Sequence, residues 1–155
     1  MENRTTVLYV DDNPKSSRLL TSILEESGFR MITRNDPLEA LALCKRTYFD
    51  LALLDYEMPK MKGSRLAQQI KLLVPEAPVV LLSGRRSLPA EELLFVDAHF
   101  GFGTVLDDLL WTMRILAQPK WVVANHLAAE SRTLRGDRPA ILGDQHEIRK
   151  WADST

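Results

Sequence analysis

The chain has 155 residues, of which 45% are apolar and 26% charged, a composition that suits one globular domain with a sizeable core. Its 20 basic and 21 acidic residues give a formal charge of −1, which excludes a global field that would draw the protein to nucleic acid or to an anionic membrane. A single cysteine excludes a disulfide framework, and without a signal-peptide pattern or an apolar run of about 20 residues we expect a cytoplasmic protein.

Apolar strand-like runs alternate with amphipathic helical runs along most of the chain, which is typical of a parallel sheet with helices on both faces. The first helix is expected to begin at Pro14 and to end at Gly28, and the second to follow a cap at Asn35 or Asp36. A third helix should follow Gly63. The five predicted strands are Thr6–Val10, Phe29–Thr33, Leu51–Leu54, Val79–Leu82 and His99–Phe102.

Two further helices are predicted before residue 117. A weak helical pattern runs from about Pro89 to Val96, and a stronger one begins at Thr104 as a candidate N-cap. Residues 118–155 lose the strand–helix rhythm and are expected to form a partly helical C-terminal extension without an output domain. The stronger helix carries one apolar stripe, expected to face the core, which consists of Leu106, Leu109, Leu110, Met113 and Leu116.

Acidic residues follow two of the predicted strands. The first strand leads into Asp11 and Asp12, and the third leads into Asp55. If the strand order is 2-1-3-4-5, these strands are neighbours and their carboxyl ends form the usual ligand-binding edge. Three carboxylates would gather there, repel one another and favour a hard cation such as Mg²⁺. The alternative is that Asp12 or Asn13 only caps the first helix and that Asp55 is an ordinary loop residue.

The order and spacing of these residues are similar to those of the receiver family of response regulators. The similarity covers about residues 5–117, and it implies a receiver domain at residues 1–117. It implies an α/β fold, namely a flavodoxin-like doubly wound five-stranded parallel sheet of order 2-1-3-4-5 with helices on both faces. The residues that carry it are the pair Asp11-Asp12, Asp55 within the string LLDYEMPKMKG, and Ser83-Gly84.

The resemblance also implies a role for each matching residue. Asp55 would be the nucleophile that takes a phosphoryl group from a histidine kinase or phosphotransfer protein, and Ser83 would donate its hydroxyl to a phosphoryl oxygen. Mg²⁺ would be held by Asp11, Asp12, Asp55 and the backbone carbonyl of Glu57. This agrees with phosphoryl-transfer chemistry, because a carboxylate is already ionised at pH 7 and the reaction depends on positioning and on cations.

The chain departs from the family at the end of the fifth strand, where receivers normally carry a lysine followed by a proline. Phe102 and Gly103 take these positions, and no lysine occurs between Lys71 and Lys120. His99 falls at the switch position, which tyrosine or phenylalanine usually holds, although a shift of the alignment by one residue would place Phe100 there. Loss of one charged hydrogen bond, worth about 1.5–3 kcal/mol, would weaken the coupling between phosphorylation and shape change.

Three candidate functions are considered on the basis of this resemblance. The leading one is a stand-alone, non-enzymatic receiver that signals by protein contact, with Arg85 or Arg86 as a substitute cation. The second is a phosphorylation-independent pseudo-receiver that docks a partner. A small flavodoxin-like enzyme is disfavoured, because the chain lacks a phosphate-cradling glycine-rich loop and a cysteine nucleophile at a strand end.

The expected partners are proteins. They are a histidine kinase or phosphotransfer protein and a downstream protein target. Direct contact with nucleic acid is not expected, because no winged-helix or helix-turn-helix pattern follows residue 117. Contact with a membrane is not expected either, and a homodimer is left open.

Overall fold

The computed structural model describes residues 3–119, in which five parallel strands form one sheet of order β2-β1-β3-β4-β5. The predicted fold class and strand order are confirmed. The strands are β1 Thr6–Val10, β2 Arg30–Arg34, β3 Leu51–Asp55, β4 Val79–Leu82 and β5 Ala98–Phe100. The helices are α1 Pro14–Glu26, α2 Pro37–Cys44, α3 Gly63–Leu73 and α4 Leu106–Leu116, and a 3-10 helix spans Ala90–Leu93.

Helices α1 and α2 begin where predicted, because a polar cap precedes a proline in each. The side chain of Asn13 accepts hydrogen bonds from two backbone N–H groups of α1, and Pro14 fills the first helical position. Asp36 and Pro37 make the same arrangement at α2. Helix α1 ends at Glu26, and Gly28 follows the C-cap Ser27 with a φ of +96°, in the left-handed region that favours glycine.

Alternate residues of the strands pack on opposite faces of the sheet. In β1, Leu8 and Val10 belong to the core that α2 and α3 cover, whereas Val7 and Tyr9 belong to the core under α1 and α4. The same alternation places Leu51 and Leu53 of β3 under α1 and α4. This parity decides which side of the sheet the residues at the strand ends face.

The structure corrects the limits of three strands. β2 begins at Arg30 because the N–H of Phe29 donates to the carbonyl of Leu24 and closes the end of α1. β3 includes Asp55, which pairs with Leu82 of β4. β5 is Ala98–Phe100 rather than His99–Phe102, because the chain turns after Phe100, where Thr104 N–H donates to the Gly101 carbonyl.

The helix predicted at about Pro89–Val96 is wrong. Only the 3-10 helix Ala90–Leu93 forms there. Asp97, four residues later, is fixed at the entry to β5, since its carboxylate accepts from the N–H of Val79 at 2.7 Å and its own N–H donates to the Val79 carbonyl. These bonds fix the end of the segment, and the Glu92 carboxylate accepts hydrogen bonds from Ser64 and Lys62 of the neighbouring region, so tertiary contacts rather than helix propensity set its conformation.

The predicted start of the last helix is also wrong. Thr104 does not cap it, because its hydroxyl donates to the carbonyl of Gly101 at 2.7 Å. Helix α4 begins after Val105 without a side-chain cap. Of the predicted stripe, Leu109 and Met113 are buried, Leu110 and Leu116 are half-buried, and Leu106 is exposed. The core face is therefore narrower than its sequence pattern indicates.

Residues Met1–Ala117 form one compact unit. Within residues 3–119, no helix has both the length and the apolar character needed to cross a membrane. The predicted C-terminal extension, residues 118–155, lies outside the described residues apart from its first two positions, and it stays a prediction.

Candidate functional site

Three carboxylates meet at the carboxyl ends of β1 and β3. The two strands pair with Val10 beside Leu54, so Asp11 and Asp55 come side by side just beyond that pair. Together with Asp12 they offer oxygen atoms that all lie within 4.8 Å of one another. Asp11 is buried, and the other two are half-buried. The structure therefore brings together the three acids that the sequence singled out.

Hydrogen bonds hold Asp11 in this acidic cluster. The hydroxyl of Tyr9 donates to Asp11 Oδ2 at 2.7 Å, and the backbone N–H of Asn13 donates to Asp11 Oδ1 at 2.9 Å. The side-chain amide of Asn35 donates to the Asp11 carbonyl at 2.7 Å. Because Asn13 makes the helix cap, Asp12 is not needed for it.

Two of these supporting residues escaped the sequence analysis. Tyr9 stands two residues before Asp11 on the same strand, and this spacing places both side chains on one face of the sheet. The signal was therefore present in the sequence. Asn35 reaches Asp11 across the sheet from the end of β2, and only the strand pairing shows that contact.

Burial and charge repulsion act together on Asp55. Burial, followed by the charges of Asp11 and Asp12, raises the pKa of Asp55 to about 7. No ion pair within residues 3–119 includes Asp55. Burial and the Asp11 carboxylate likewise raise the pKa of Tyr9, so its hydroxyl keeps its proton and remains a donor. An acidic cluster of this kind favours a bound cation.

The loop after β3 folds back onto Asp55. The N–H of Gly63 donates to the Tyr56 carbonyl at 2.8 Å, and Met58 is buried beneath the loop. A Cβ atom at Gly63 would overlap the backbone carbonyl oxygen of Asp55 and would lie 2.7 Å from Leu81 Cδ1. Glycine is therefore required here for close approach of two backbone segments.

Arg85, the first candidate for a substitute cation, is engaged elsewhere. Its Nε lies 2.9 Å from Glu57 Oε1, and both side chains are about 60% exposed. Its guanidinium also lies 5.9 Å from the centre of the Tyr56 ring. The pair spans the two loops that border the acidic cluster. Such an exposed ion pair contributes at most about 1 kcal/mol, so Arg85 is held only weakly.

Ser83 lies beyond β4 and is half-buried. Its Oγ accepts a hydrogen bond from the backbone N–H of Arg85 at 3.0 Å. Ser83 and Asp55 line the same cavity, which opens toward α4. Its hydroxyl proton has no acceptor among residues 3–119, so it is available for a group bound beside Asp55.

The family model of the response regulator receiver domain matches residues 7–99 of the chain. The chain belongs to this family. The sensor histidine kinase RcsC of Salmonella typhi is 40% identical over 115 residues, which is 72% of this chain and 12% of that protein. The chain thus spans about a tenth of the length of curated relatives such as RcsC.

Solved structures agree with this assignment. TrrA of Thermotoga maritima, in complex with Mg²⁺ and BeF, is 28% identical with a TM-score of 0.65, covering 72% of this chain and 98% of that one. A complex of TrrA with the histidine kinase ThkA matches with 27% identity and a TM-score of 0.68, covering 74% and 99%. Receiver domains are signalling modules of two-component systems rather than classical enzymes.

The two predicted switch residues of this receiver domain have different surroundings. His99 lies in β5 beside Leu81, and burial lowers the pKa of its ring. Its Nε2 is buried without a hydrogen-bond partner among the described residues. Phe102, at the position where the family resemblance implies lysine, is 69% exposed. Their roles in switching stay predictions.

Proposed function

We propose that this receiver domain accepts a phosphoryl group on Asp55 from a phosphohistidine of a histidine kinase or phosphotransfer protein. The observation that carries the proposal is the cluster of Asp11, Asp12 and Asp55, with oxygens within 4.8 Å of one another at the carboxyl ends of neighbouring strands. The complex of the related TrrA with the kinase ThkA supports a kinase as the partner.

The donor set fits Mg²⁺. It consists of three carboxylates, with no histidine or cysteine in the cluster, and Mg²⁺ prefers oxygen ligands of this kind. The side chains of Asp11, Asp12 and Asp55 would hold the ion, together with the backbone carbonyl of Glu57. Bound Mg²⁺ would offset the negative charge of the cluster and of the incoming phosphoryl group.

Asp55 and Ser83 divide the remaining chemistry. A carboxylate oxygen of Asp55 forms a bond to phosphorus while the bond from phosphorus to the donor imidazole breaks, and the imidazole leaves neutral after taking up a proton. Asp55 must be ionised to attack. The charges of Asp11 and Asp12 raise its pKa and so favour the protonated form, and a bound cation would offset that effect. The Ser83 hydroxyl then donates to a phosphoryl oxygen.

The output would be contact with a downstream protein. Exposed apolar side chains lie on the side of the domain formed by β5, α4 and the loop between them, and they include Phe102, Val105 and Trp111. Their exposure supports a protein-binding role.

A phosphorylation-independent docking module is the second candidate function. It is favoured by Phe102, which stands where the resemblance implies a lysine, and by Arg85, which is paired with Glu57 instead of Asp55. A receiver without a cation beside Asp55 could bind its partner equally well in both phosphorylation states.

One experiment separates the two functions. The purified protein is incubated with acetyl phosphate and Mg²⁺, and its intact mass is measured. We expect the wild type to gain one phosphoryl group, Asp55→Asn to gain none, and the control Asp50→Asn to behave as the wild type. Asp50 is a suitable control because its carboxylate binds Thr6 N–H and the Tyr48 hydroxyl. No gain in the wild type with any phosphoryl donor would instead support the docking module.

The affinity for Mg²⁺ should rise with pH. Since the pKa of metal-free Asp55 is raised to about 7, the ion must displace a proton at pH 6 but not at pH 8. We expect affinity to increase roughly tenfold between these values, and to stay nearly flat in Asp55→Asn. Isothermal titration calorimetry at pH 6 and pH 8 measures the Mg²⁺ affinity of the wild type and of Asp55→Asn. A flat wild-type profile would contradict the raised pKa.

A further inference from the structure

A cavity of about 300 Å³ lies against Asp55 on the side of α4. Its wall is formed by residues at the ends of β4 and β5 and by the start of α4. Most of the wall is apolar, and its polar groups are a carboxylate and two hydroxyls. The residues that matter for the argument are Leu82, Phe100 and Leu109 on the apolar side and Asp55, Ser83 and Thr104 on the polar side.

The polar groups of this cavity mainly offer hydrogen-bond acceptors. The Asp55 carboxylate is an acceptor when ionised, and neither hydroxyl has used all of its lone pairs. Ser83 Oγ accepts one bond, from Arg85 N–H at 3.0 Å, while Thr104 Oγ1 donates its proton to the Gly101 carbonyl at 2.7 Å. Apart from the unused Ser83 proton, these groups favour a ligand that brings donors, and an ammonium group brings three donors and no acceptor.

No cation of the described residues occupies this position. Among residues 3–119, the ion pairs do not include Asp55, and the nearby Arg85 is paired with Glu57. Phe102 is largely exposed and is not part of the cavity wall. The preceding Gly101 packs on the Arg85 and Arg86 carbonyls, where a Cβ would lie 2.8 Å from Arg86 O.

We propose that the cavity binds an alkylammonium group. The alkyl part lies against Leu82, Phe100 and Leu109, and the nitrogen pairs with Asp55 or with the phosphoryl group it carries. The ammonium has two sources, the lysine side chain of a bound protein partner or a free amine. Its part in switching rests on the proposed function, whereas its binding to the metal-free, unphosphorylated domain does not.

The test is an amide NMR titration of the whole chain with n-butylammonium at pH 8, in EDTA and at constant ionic strength. We expect saturable shifts at Ser83 and around Thr104, and much smaller ones with n-butanol, which has the same length but no charge. Since neither Mg²⁺ nor a phosphoryl donor is present, the outcome does not depend on whether Asp55 is phosphorylated. Equal shifts with the alcohol, or none that saturate, would overturn the proposal.

Two lysine variants check the location. Phe102 directly follows Gly101, which lines the cavity, so the longer side chain in Phe102→Lys is placed to bring an ammonium to the cavity mouth. In this variant n-butylammonium should bind at least about tenfold more weakly. Phe95→Lys places the same substitution at another exposed phenylalanine, away from the cavity wall, and should bind as the wild type. Unchanged binding in Phe102→Lys, or an equal loss in both variants, would contradict the assignment.

The affinity distinguishes the two sources. Saturation by putrescine below about 1 mM would assign the site to a free amine. Saturation only at higher concentrations, for putrescine and n-butylammonium alike, would assign it to a partner's lysine, because a docked partner presents its side chain at an effective concentration of about millimolar or above. Both results support an alkylammonium site.

Discussion

Gly63→Ala is expected to lower the free energy of unfolding by about 3 kcal/mol. The new Cβ would overlap the carbonyl oxygen of Asp55 and press on Leu81 at 2.7 Å, and neither can move without disturbing the buried strands β3 and β4. Overpacking of this kind costs about 1–3 kcal/mol. The bond from Gly63 N–H to the Tyr56 carbonyl would be weakened as well, at about 1 kcal/mol. Urea unfolding followed by circular dichroism measures the loss.

Gly84→Ala is the matched control for this substitution. A Cβ at Gly84 meets nothing within 4 Å, and its φ lies outside the left-handed region. We expect a change within about 0.5 kcal/mol. If Gly63→Ala were as stable as Gly84→Ala, the loop after β3 would not pack against Asp55 as described.

The second large effect has the opposite sign. Asp55→Asn is expected to raise the free energy of unfolding of the metal-free protein at pH 8 by about 2 kcal/mol. The pKa of Asp55 is raised from 3.8 to about 7, mainly by burial and by the charges of Asp11 and Asp12. A shift of three units corresponds to about 4 kcal/mol, which we halve because the side chain is only half-buried.

The pH dependence follows from the direction of this shift. Below about pH 4 the Asp55 carboxyl is protonated in both the folded and the unfolded protein, so it does not lower the free energy of unfolding. As the pH rises from about 4 toward 7, the unfolded protein loses this proton first, and the free energy of unfolding falls. The gain in Asp55→Asn should therefore be small at pH 4 and complete by pH 8. Mg²⁺ should stabilise the wild type at pH 8 and stabilise the variant much less.

Asp50→Asn serves as the control for stability too. In the wild type, the Asp50 carboxylate accepts hydrogen bonds from Thr6 N–H at 2.8 Å and from the Tyr48 hydroxyl at 2.7 Å. Its replacement should therefore destabilise slightly. Thermal unfolding in EDTA at pH 4 and pH 8 measures all three proteins. Destabilisation by Asp55→Asn at pH 8 would mean that Asp55 is not under repulsion from its neighbours.

The sequence predicts most of the fold because its local signals agree with one another. β1 and β4 have the predicted limits, since short apolar runs are bounded by polar or proline residues. The 3-10 helix Ala90–Leu93 could not be predicted in the same way. Its residues favour an α-helix locally, whereas the contacts that hold the segment run to other elements, namely from Asp97 to Val79 of β4 and from Glu92 to Ser64 of α3, and local propensity does not show them.

The same distinction applies to the candidate site. The gathering of Asp11 and Asp55 follows from strand order and from alternation along the strands, and both can be read from the chain. The contact from Asn35 and the cavity beside Asp55 depend on how separate loops approach one another. Contacts between loops that are distant in the sequence cannot be predicted from local sequence patterns. The sequence shows that the lysine is missing, whereas only the structure shows the cavity beside Asp55.

The most direct measurement is to locate the phosphoryl group itself. After incubation with acetyl phosphate and Mg²⁺, borohydride converts an aspartyl phosphate to homoserine, and tandem mass spectrometry of tryptic peptides identifies the converted position. The expected conversion is at Asp55, within the peptide of residues 47–60 that ends at Lys60. Conversion at Asp11 or Asp12, in a separate peptide, or at Asp50 would contradict the account, as would no conversion at all.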